Sequence, residues 1–354
     1  MRVLMLTQAY DPDDPLLGFV DSWVRALACR VSRLDIVCLR STSTNPPPQV
    51  AVWPVGSRGD GSQWRRLLDF QRRTLHLART ADIVFVHMIP RFVLAAGPAA
   101  IVHRRPIVLW YVHRAQSLEL RAATALSRFV ATAVPETFPF PTSKLRVLGH
   151  GVDSVWTALE AVVPPTPLVV FVGRLMPVKH QATLVRALAL LSATRPDVQA
   201  VLVGGVPRGE SEGYRQSLVE LAGGLGISDR VTLAGPMTHA GIRDLLARAS
   251  VAVNLSPPGL FDKAALESMM AGLPTIVASR SFDLLIGPDT WLRIDSPADH
   301  VALARALDRA LSLTMAERNE LTAAIRARTI DAHGLDAFMD RLVSLFREAI
   351  GVRA

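Results

Sequence analysis

The feature that most constrains this chain is a repeating unit: a short, continuously apolar run followed by a stretch with helical spacing. In the first half such runs occupy residues 2–6, 35–39, 83–87 and 107–112, with shorter ones at 130–133 and 145–148. A strand with one wet face alternates apolar and polar residues, whereas an uninterrupted apolar run belongs to a strand covered on both faces. Strands covered by helices on both sides make a parallel sheet, because a parallel pair needs a long crossover between its members. The same grammar restarts after the proline-rich stretch 163–167, with runs at 168–172, 200–203, 231–233, 251–254 and 274–278.

Two Rossmann-like α/β domains in tandem are the simplest account, spanning 1–163 and 164–334. A length of 354 residues suits two domains of roughly 150 residues each. Half the residues are hydrophobic and 20% are charged, which excludes a disordered or fibrous chain. The only cysteines, Cys29 and Cys38, exclude a disulfide scaffold and a cysteine-rich zinc site. No apolar stretch reaches the roughly 18 residues of a membrane span; the longest, 92–102, contains Gly97 and Pro98. The N-terminus runs straight from residues 2–6 into a polar, acidic loop, unlike a signal peptide. A cytoplasmic protein able to touch the inner face of the membrane is the expectation.

The charge is unevenly placed. Residues 1–160 hold 19 Lys and Arg against 12 Asp and Glu, and the remainder hold 20 against 19. An anionic surface or substrate on the first half follows from that excess. Only Lys144, Lys179 and Lys263 among the 39 basic residues are lysines, so each lysine invites a reason.

In open parallel sheets, ligands bind beyond the carboxyl ends of the strands. Two loops in the second half fit that position. In Gly173-Arg174-Leu175-Met176-Pro177-Val178-Lys179, the two cations can converge on one anion beside helix N-terminal amides, and a diphosphate suits them; a solvated loop with two charges is the alternative. In residues 259–267, loop amides can cradle a phosphate while Glu267, one turn into the helix, accepts ribose hydroxyls. The alternative there is a capped helix with a surface glutamate. His113 follows a strand and has either a functional or a structural reading, whereas His87 and His150 read as structural.

Taken in order, several segments resemble a retaining nucleotide-sugar glycosyltransferase of the GT-B fold, of the glycosyltransferase family 4 type. They are residues 171–179, 202–205, 230–235 and 259–274, joined in the first half by Trp110-Tyr111-Val112-His113 and Gly149-His150-Gly151-Val152-Asp153. The resemblance implies two Rossmann-like domains facing across a cleft, with a last helix in 335–354 crossing back to the first. It implies hexose transfer from a nucleotide diphosphate sugar to an acceptor hydroxyl, lipid-linked or glycan, with retained anomeric configuration. Arg174 and Lys179 would hold the departing diphosphate, and Gly259, Phe261, Lys263, Leu266 and Glu267 would line the donor loop. Glu267 would bind the ribose, Gly18 would admit a phosphate near the backbone, and His113 would stand near the transferred sugar. The family commonly has two glutamates eight positions apart, and here the first position is Gly259. No cofactor and no metal are expected: Asp11-Pro12-Asp13 imitates a metal-binding Asp-x-Asp, but at a place where the other large glycosyltransferase fold does not put it.

Residues 62–79 form a basic amphipathic helix. Arg65, Arg66, Arg72, Arg73, His76 and Arg79 fall on one face, and Trp64, Leu67, Leu68, Thr74, Leu75 and Ala78 on the other. Such a helix either lies on an anionic membrane or packs its apolar face on the sheet. Two rival functions remain: an epimerase-like sugar-nucleotide enzyme, and a non-catalytic basic protein of membrane or nucleic acid. Aromatics at 6% and the lack of a stacking motif argue against nucleic acid.

Overall fold

The computed structural model describes residues 1–354 apart from 13, 15–16, 43–44, 56–62, 160–165, 207–212, 258 and 353–354. The linker expected at 163–167 and the boundary at 163/164 therefore fall largely outside the described residues, as does Asp13. The chain forms two compact units, Met1–Asp153 with His333–Ala354, and Ser154–Ala332.

The first unit is a seven-stranded parallel sheet in the order β3-β2-β1-β4-β5-β6-β7. Its strands are β1 (Arg2–Tyr10), β2 (Arg33–Ser41), β3 (Val50–Pro54), β4 (Ile83–His87), β5 (Ile107–Trp110), β6 (Phe129–Thr132) and β7 (Leu145–Val147). Helices α1 (Val20–Ala28), α2 (Gln63–Ala78), α3 (Pro90–Val102) and α4 (Leu118–Leu126) make the crossovers. The apolar runs became strands, and in the central ones Leu4, Leu6, Val84, Val86 and Leu109 are fully buried, while the run at 145–148 became the edge strand β7. Strand β3 has no counterpart among the expected runs. It is a five-residue edge strand that closes on Pro54, and proline is tolerated only at such a margin.

Helix α2 corrects the expected faces of 62–79. Its core-facing residues are Phe70, Thr74, Leu77 and Ala78, while Trp64, Leu68 and Leu75 remain exposed. The helix carries two apolar stripes, and Phe70 with Leu77 wins the contact with the sheet layer because Phe70 stacks near Phe92 of α3, ring centroids 5.1 Å apart.

The second unit is a five-stranded parallel sheet in the order β10-β9-β8-β11-β12. Its strands are β8 (Leu168–Val172), β9 (Gln199–Val203), β10 (Val231–Gly235), β11 (Val251–Asn254) and β12 (Thr275–Val277). Helices α5 (Gln181–Leu191), α6 (Gly213–Gly224), α7 (His239–Ala247), α8 (Lys263–Met270), α9 (Asp283–Ile286), α10 (His300–Leu311) and α11 (Met315–His333) cover it. Both units are thus Rossmann-like, as expected.

The last helix, α12 (Leu335–Ala349), belongs to the first unit. Phe338, Met339, Leu342 and Phe346 are buried, with Phe338 against Trp23 at 4.3 Å between ring centroids and Phe346 against Phe85 at 5.3 Å. Arg30 pairs with both Asp336 and Asp340, at 2.9 and 2.7 Å. Among the described residues no helix is long and apolar enough to cross a membrane. The apolar run 92–102 is α3, a thirteen-residue helix of the first unit.

Candidate functional site

In the second unit the strand order reverses between β8 and β11, so the crevice beyond their carboxyl ends is the topological switch point. The loop after β8 (173–180) and the loop after β11 (255–262) flank it. Gly204, at the end of β9, takes φ +149°, and a Cβ there would lie 2.0 Å from the Gly173 carbonyl oxygen. Only glycine lets these strand ends close up. Gln181 is fully buried and pins the first loop: its Nε2 donates to the Arg174 carbonyl at 2.8 Å, and its Oε1 accepts from the Tyr214 hydroxyl at 3.1 Å. The Arg174 backbone is thereby fixed while its side chain is exposed.

Lys179 is the opposite case, with 7% of its surface exposed. Its Nζ donates to Asp262 Oδ1 at 2.7 Å, to Asp262 Oδ2 at 2.5 Å and to Ser256 Oγ at 2.9 Å. Asp262 Oδ2 also accepts from Asn254 Nδ2 at 3.0 Å and from Ser256 Oγ. Burial opposes ionisation of Asp262, but the Lys179 charge and the hydrogen bonds from Lys179, Ser256 and Asn254 outweigh it and hold the carboxyl below its usual range. Asp262 occupies the N-cap position of α8 without capping it, since its side chain is committed to this network.

Lys263 opens α8, and its Nζ lies 4.0 Å from Glu267 Oε1 one turn on. Glu267 is 6% exposed, and burial pushes its carboxyl up to about 7 against the pull of Lys263. His239, first residue of α7, lies within the field of the same lysine; burial first, and then the Lys263 charge, lowers its pKa. Its ring is edge-on to Trp156 at 6.3 Å. Phe261 and Leu266 face inward: Phe261 stacks on Phe282 at 4.6 Å, and Leu266 is fully buried. Gly259 lies on the loop between β11 and α8.

Gly18 and His113 belong to the first unit. A Cβ on Gly18 would meet the Pro12 and Asp14 carbonyl oxygens at 2.6 and 2.8 Å, so the fold of its own loop requires glycine, and its N–H already donates to Asp14 O at 2.9 Å. His113 is exposed just beyond β5, and its Nδ1 accepts the Ala115 N–H at 2.9 Å, which leaves the proton of the neutral ring on Nε2. His87 is buried with Nδ1 3.3 Å from Thr7 Oγ1, and the His150 ring lies edge-on to Trp110 at 6.2 Å. Lys144 donates to the Thr124, Ala125 and Ser127 carbonyls at 2.6–3.0 Å and so closes the C-terminal end of α4. The described residues contain no group of three or more His, Cys, Asp or Glu placed to hold a metal.

The structure therefore brings Lys179 together with Asp262, and Lys263 with Glu267 and His239. The sequence did not single out Asp262, Asn254, Ser256 or His239. The available signal was Lys179 itself, since a lysine on a strand-end loop needs an anion if it is buried.

Comparison with known proteins finds similarity to glycosyltransferases. Residues 166–312 match the family model "Glycosyl transferases group 1". A D-inositol 3-phosphate glycosyltransferase of Mycolicibacterium gilvum is 36% identical over 116 residues, covering 33% of this chain and 25% of the relative. The Mycobacterium bovis protein of the same name is 29% identical over 185 residues, 52% of this chain and 38% of the relative. The matches thus span well under half the length of these curated relatives. Among solved structures, HepE of Anabaena in complex with UDP-glucose superposes with a TM-score of 0.76 at 19% identity, covering 98% of this chain and 100% of that one. Sucrose-phosphate synthase of Thermosynechococcus elongatus gives 0.75 at 20% identity, with 100% of both chains covered. The chain has the GT-B fold, and residues 166–312 of its second unit are similar to the group 1 glycosyl transferases.

Proposed function

We propose that this protein is a retaining glycosyltransferase that moves a hexose from a nucleotide diphosphate sugar to an acceptor hydroxyl. The observation that carries the reading is that Arg174, Lys263, Glu267 and the start of α8 share the switch-point edge of a unit that matches the group 1 glycosyl transferases. UDP and UDP-glucose in the HepE structures support a nucleotide-sugar donor.

As the anomeric C–O bond breaks, negative charge grows on the departing diphosphate. The exposed guanidinium of Arg174 and the first amides of α8, which the Asp262 side chain leaves uncapped, would stabilise it. Glu267 would accept the ribose hydroxyls, and the backbone of Gly259, Phe261 and Leu266 would shape the loop around the donor. His113, with its proton on Nε2, would donate to a hydroxyl of the transferred sugar. No side chain is assigned as base; the leaving phosphate would take the acceptor proton. Gly18, whose amide is engaged, would act by holding its loop close. Lys179, held by Asp262 at the end of the same loop, would add its charge beside Arg174.

The acceptor would be a lipid-linked or glycan hydroxyl presented at an anionic membrane. The exposed stripe of α2, Trp64, Leu68 and Leu75 beside Arg65, Arg72 and Arg79, favours that reading. The test of the donor is a thermal-shift panel of UDP, GDP, ADP and dTDP with their hexose conjugates. A ligand at about 100 times its Kd adds roughly 2.7 kcal/mol of stability. Hexose transfer should survive EDTA and give product of retained configuration by NMR. No shift with any nucleoside diphosphate would remove the reading.

A further inference from the structure

We propose that the cavity at the amino-terminal edge of β4 and β5 is a binding site for the phosphate headgroup of an anionic phospholipid. The site lies wholly within the first unit and does not depend on the donor reading above.

The cavity has a volume of about 750 Å³, within the range of small-molecule sites. It opens where β4 and β5 begin, at the opposite end of β5 from His113. Three arginines line it, Arg104, Arg105 and Arg128, against a single acidic residue, Asp82. The balance is positive, and Asp82 Oδ2 already accepts the Arg2 N–H at 2.7 Å. Ile101 and Leu126 stand in the same lining with 69% and 44% of their surfaces exposed. Cations beside uncovered apolar side chains suit an anion that carries an apolar body. A phospholipid has that chemistry: its phosphate takes charge-assisted hydrogen bonds, and its glycerol and first acyl carbons cover apolar surface.

Basic residues that follow a helix often serve only to satisfy its last carbonyls. Here other groups meet that need. Lys144 donates to the Thr124, Ala125 and Ser127 carbonyls at the end of α4. Arg105 donates to the Ala78 and Arg79 carbonyls at the end of α2, at 3.2 and 3.0 Å. Helix α3 closes through backbone alone, the Arg105 N–H reaching Ala100 O at 2.7 Å and the Arg104 N–H reaching Ile101 O at 3.1 Å. Among the described residues no hydrogen bond or ion pair holds the guanidinium of Arg104 or Arg128. Arg128 lies only over the Phe129 ring, 5.4 Å from its centroid.

Arg104 adds an independent observation. Its φ is +53°, the left-handed position after a helix that glycine takes most easily. The backbone would be better served by glycine, so the reason for arginine must lie in its exposed side chain.

The test is isothermal titration calorimetry of the full chain with dihexanoyl phosphatidylglycerol below its micellar concentration. A soluble lipid reports on the cavity whether or not α2 lies on a bilayer. The parent protein should bind it, and at least about tenfold more weakly bind dihexanoyl phosphatidylcholine, whose headgroup has no net charge. Glycerol 3-phosphate, which lacks the apolar body, should be weaker to the same degree. Arg104→Gly and Arg128→Gln should each weaken phosphatidylglycerol binding about tenfold, and Ile101→Glu should weaken it as well. Arg104→Gly should meanwhile leave the melting temperature unchanged or raised. Absence of phosphatidylglycerol binding, or binding that survives both arginine substitutions, would overturn the proposal. Equal affinity for glycerol 3-phosphate would replace it with a site for a soluble phosphate ester, and equal affinity for phosphatidylcholine with plain apolar adsorption. A lowered melting temperature in Arg104→Gly would show that the arginine serves the fold, which also overturns it.

Discussion

Burial holds Glu267 partly protonated near neutrality, and stability should therefore depend on pH through this carboxyl. Its folded pKa of about 7 lies above the roughly 4.3 of an unfolded glutamate. The folded state therefore binds this proton more tightly. The resulting contribution to stability is complete below about pH 4.3 and is lost as pH rises through 7. Glu267→Gln removes that dependence, so the melting temperature of the variant relative to the parent should climb between pH 5 and pH 8. A difference that stays flat over that range would show that the carboxyl titrates normally. Lys179→Ala is the second expectation at this scale. Rarity and spacing alone suggest that it leaves the free protein as stable as before, but the buried pair with Asp262 reverses that. Stranding Asp262 should cost on the order of 3–5 kcal/mol, measured as a lower denaturation midpoint without ligand. The sequence pointed to Arg174, Lys179 and Glu267 because strand-end loops and rare residue types are local signals. Asp262 was not legible in the same way: its partner lies 83 positions away, and an aspartate just before a helix reads as an ordinary cap.

At the level of elements, α2 departs furthest from its sequence reading. A surface helix usually has one apolar stripe, and that stripe is buried. Here the core takes Phe70, Thr74, Leu77 and Ala78, leaving Trp64 at 75% exposure, Leu68 at 58% and Leu75 at 44%. Helical spacing puts Arg65, Arg72 and Arg79 next to these residues, the pattern of a helix that lies in a lipid interface. The protein should sediment with phosphatidylglycerol vesicles at low salt and release as salt rises, since exposed charges are screened. Replacing Arg65, Arg72 and Arg79 by Gln should abolish sedimentation, each arginine contributing on the order of 1 kcal/mol. A parent protein that stays in the supernatant at low salt would leave the stripe without a membrane role. Periodicity revealed that the helix exists but not which of two apolar stripes faces inward, because that choice depends on Phe92 of another helix. Strand β3 escaped for a related reason: five residues at a sheet margin, ending in proline, carry too little pattern to stand apart from the loop before them.

Across the whole molecule, the chain leaves its first unit at Asp153 and re-enters it at His333, so the first core contains residues from both ends of the sequence. Continuous apolar runs were enough to read every strand of both sheets except β3, since a strand buried on two faces leaves a dense local signal. The return of α12 was an implication of family resemblance, because nothing in its amphipathic pattern says which sheet it covers. Its packing now gives a consequence that sequence distance would not suggest. Phe338 is fully buried against Trp23 and Trp110, with ring centroids 4.3 and 5.0 Å away. Phe338→Ala should cost about 3–5 kcal/mol, as for other large aromatic truncations in cores. In hydrogen exchange followed by mass spectrometry, the lost protection should appear in peptides of β1, α1, β4 and β5, more than 200 positions upstream in the sequence. Peptides of β8 to β12 should keep theirs, because their core is drawn from a different stretch of chain and cooperative opening follows packed units rather than sequence neighbourhood. Protection lost equally in both sheets would mean that the two units unfold as one, and the division of the chain into two cores would carry no energetic weight.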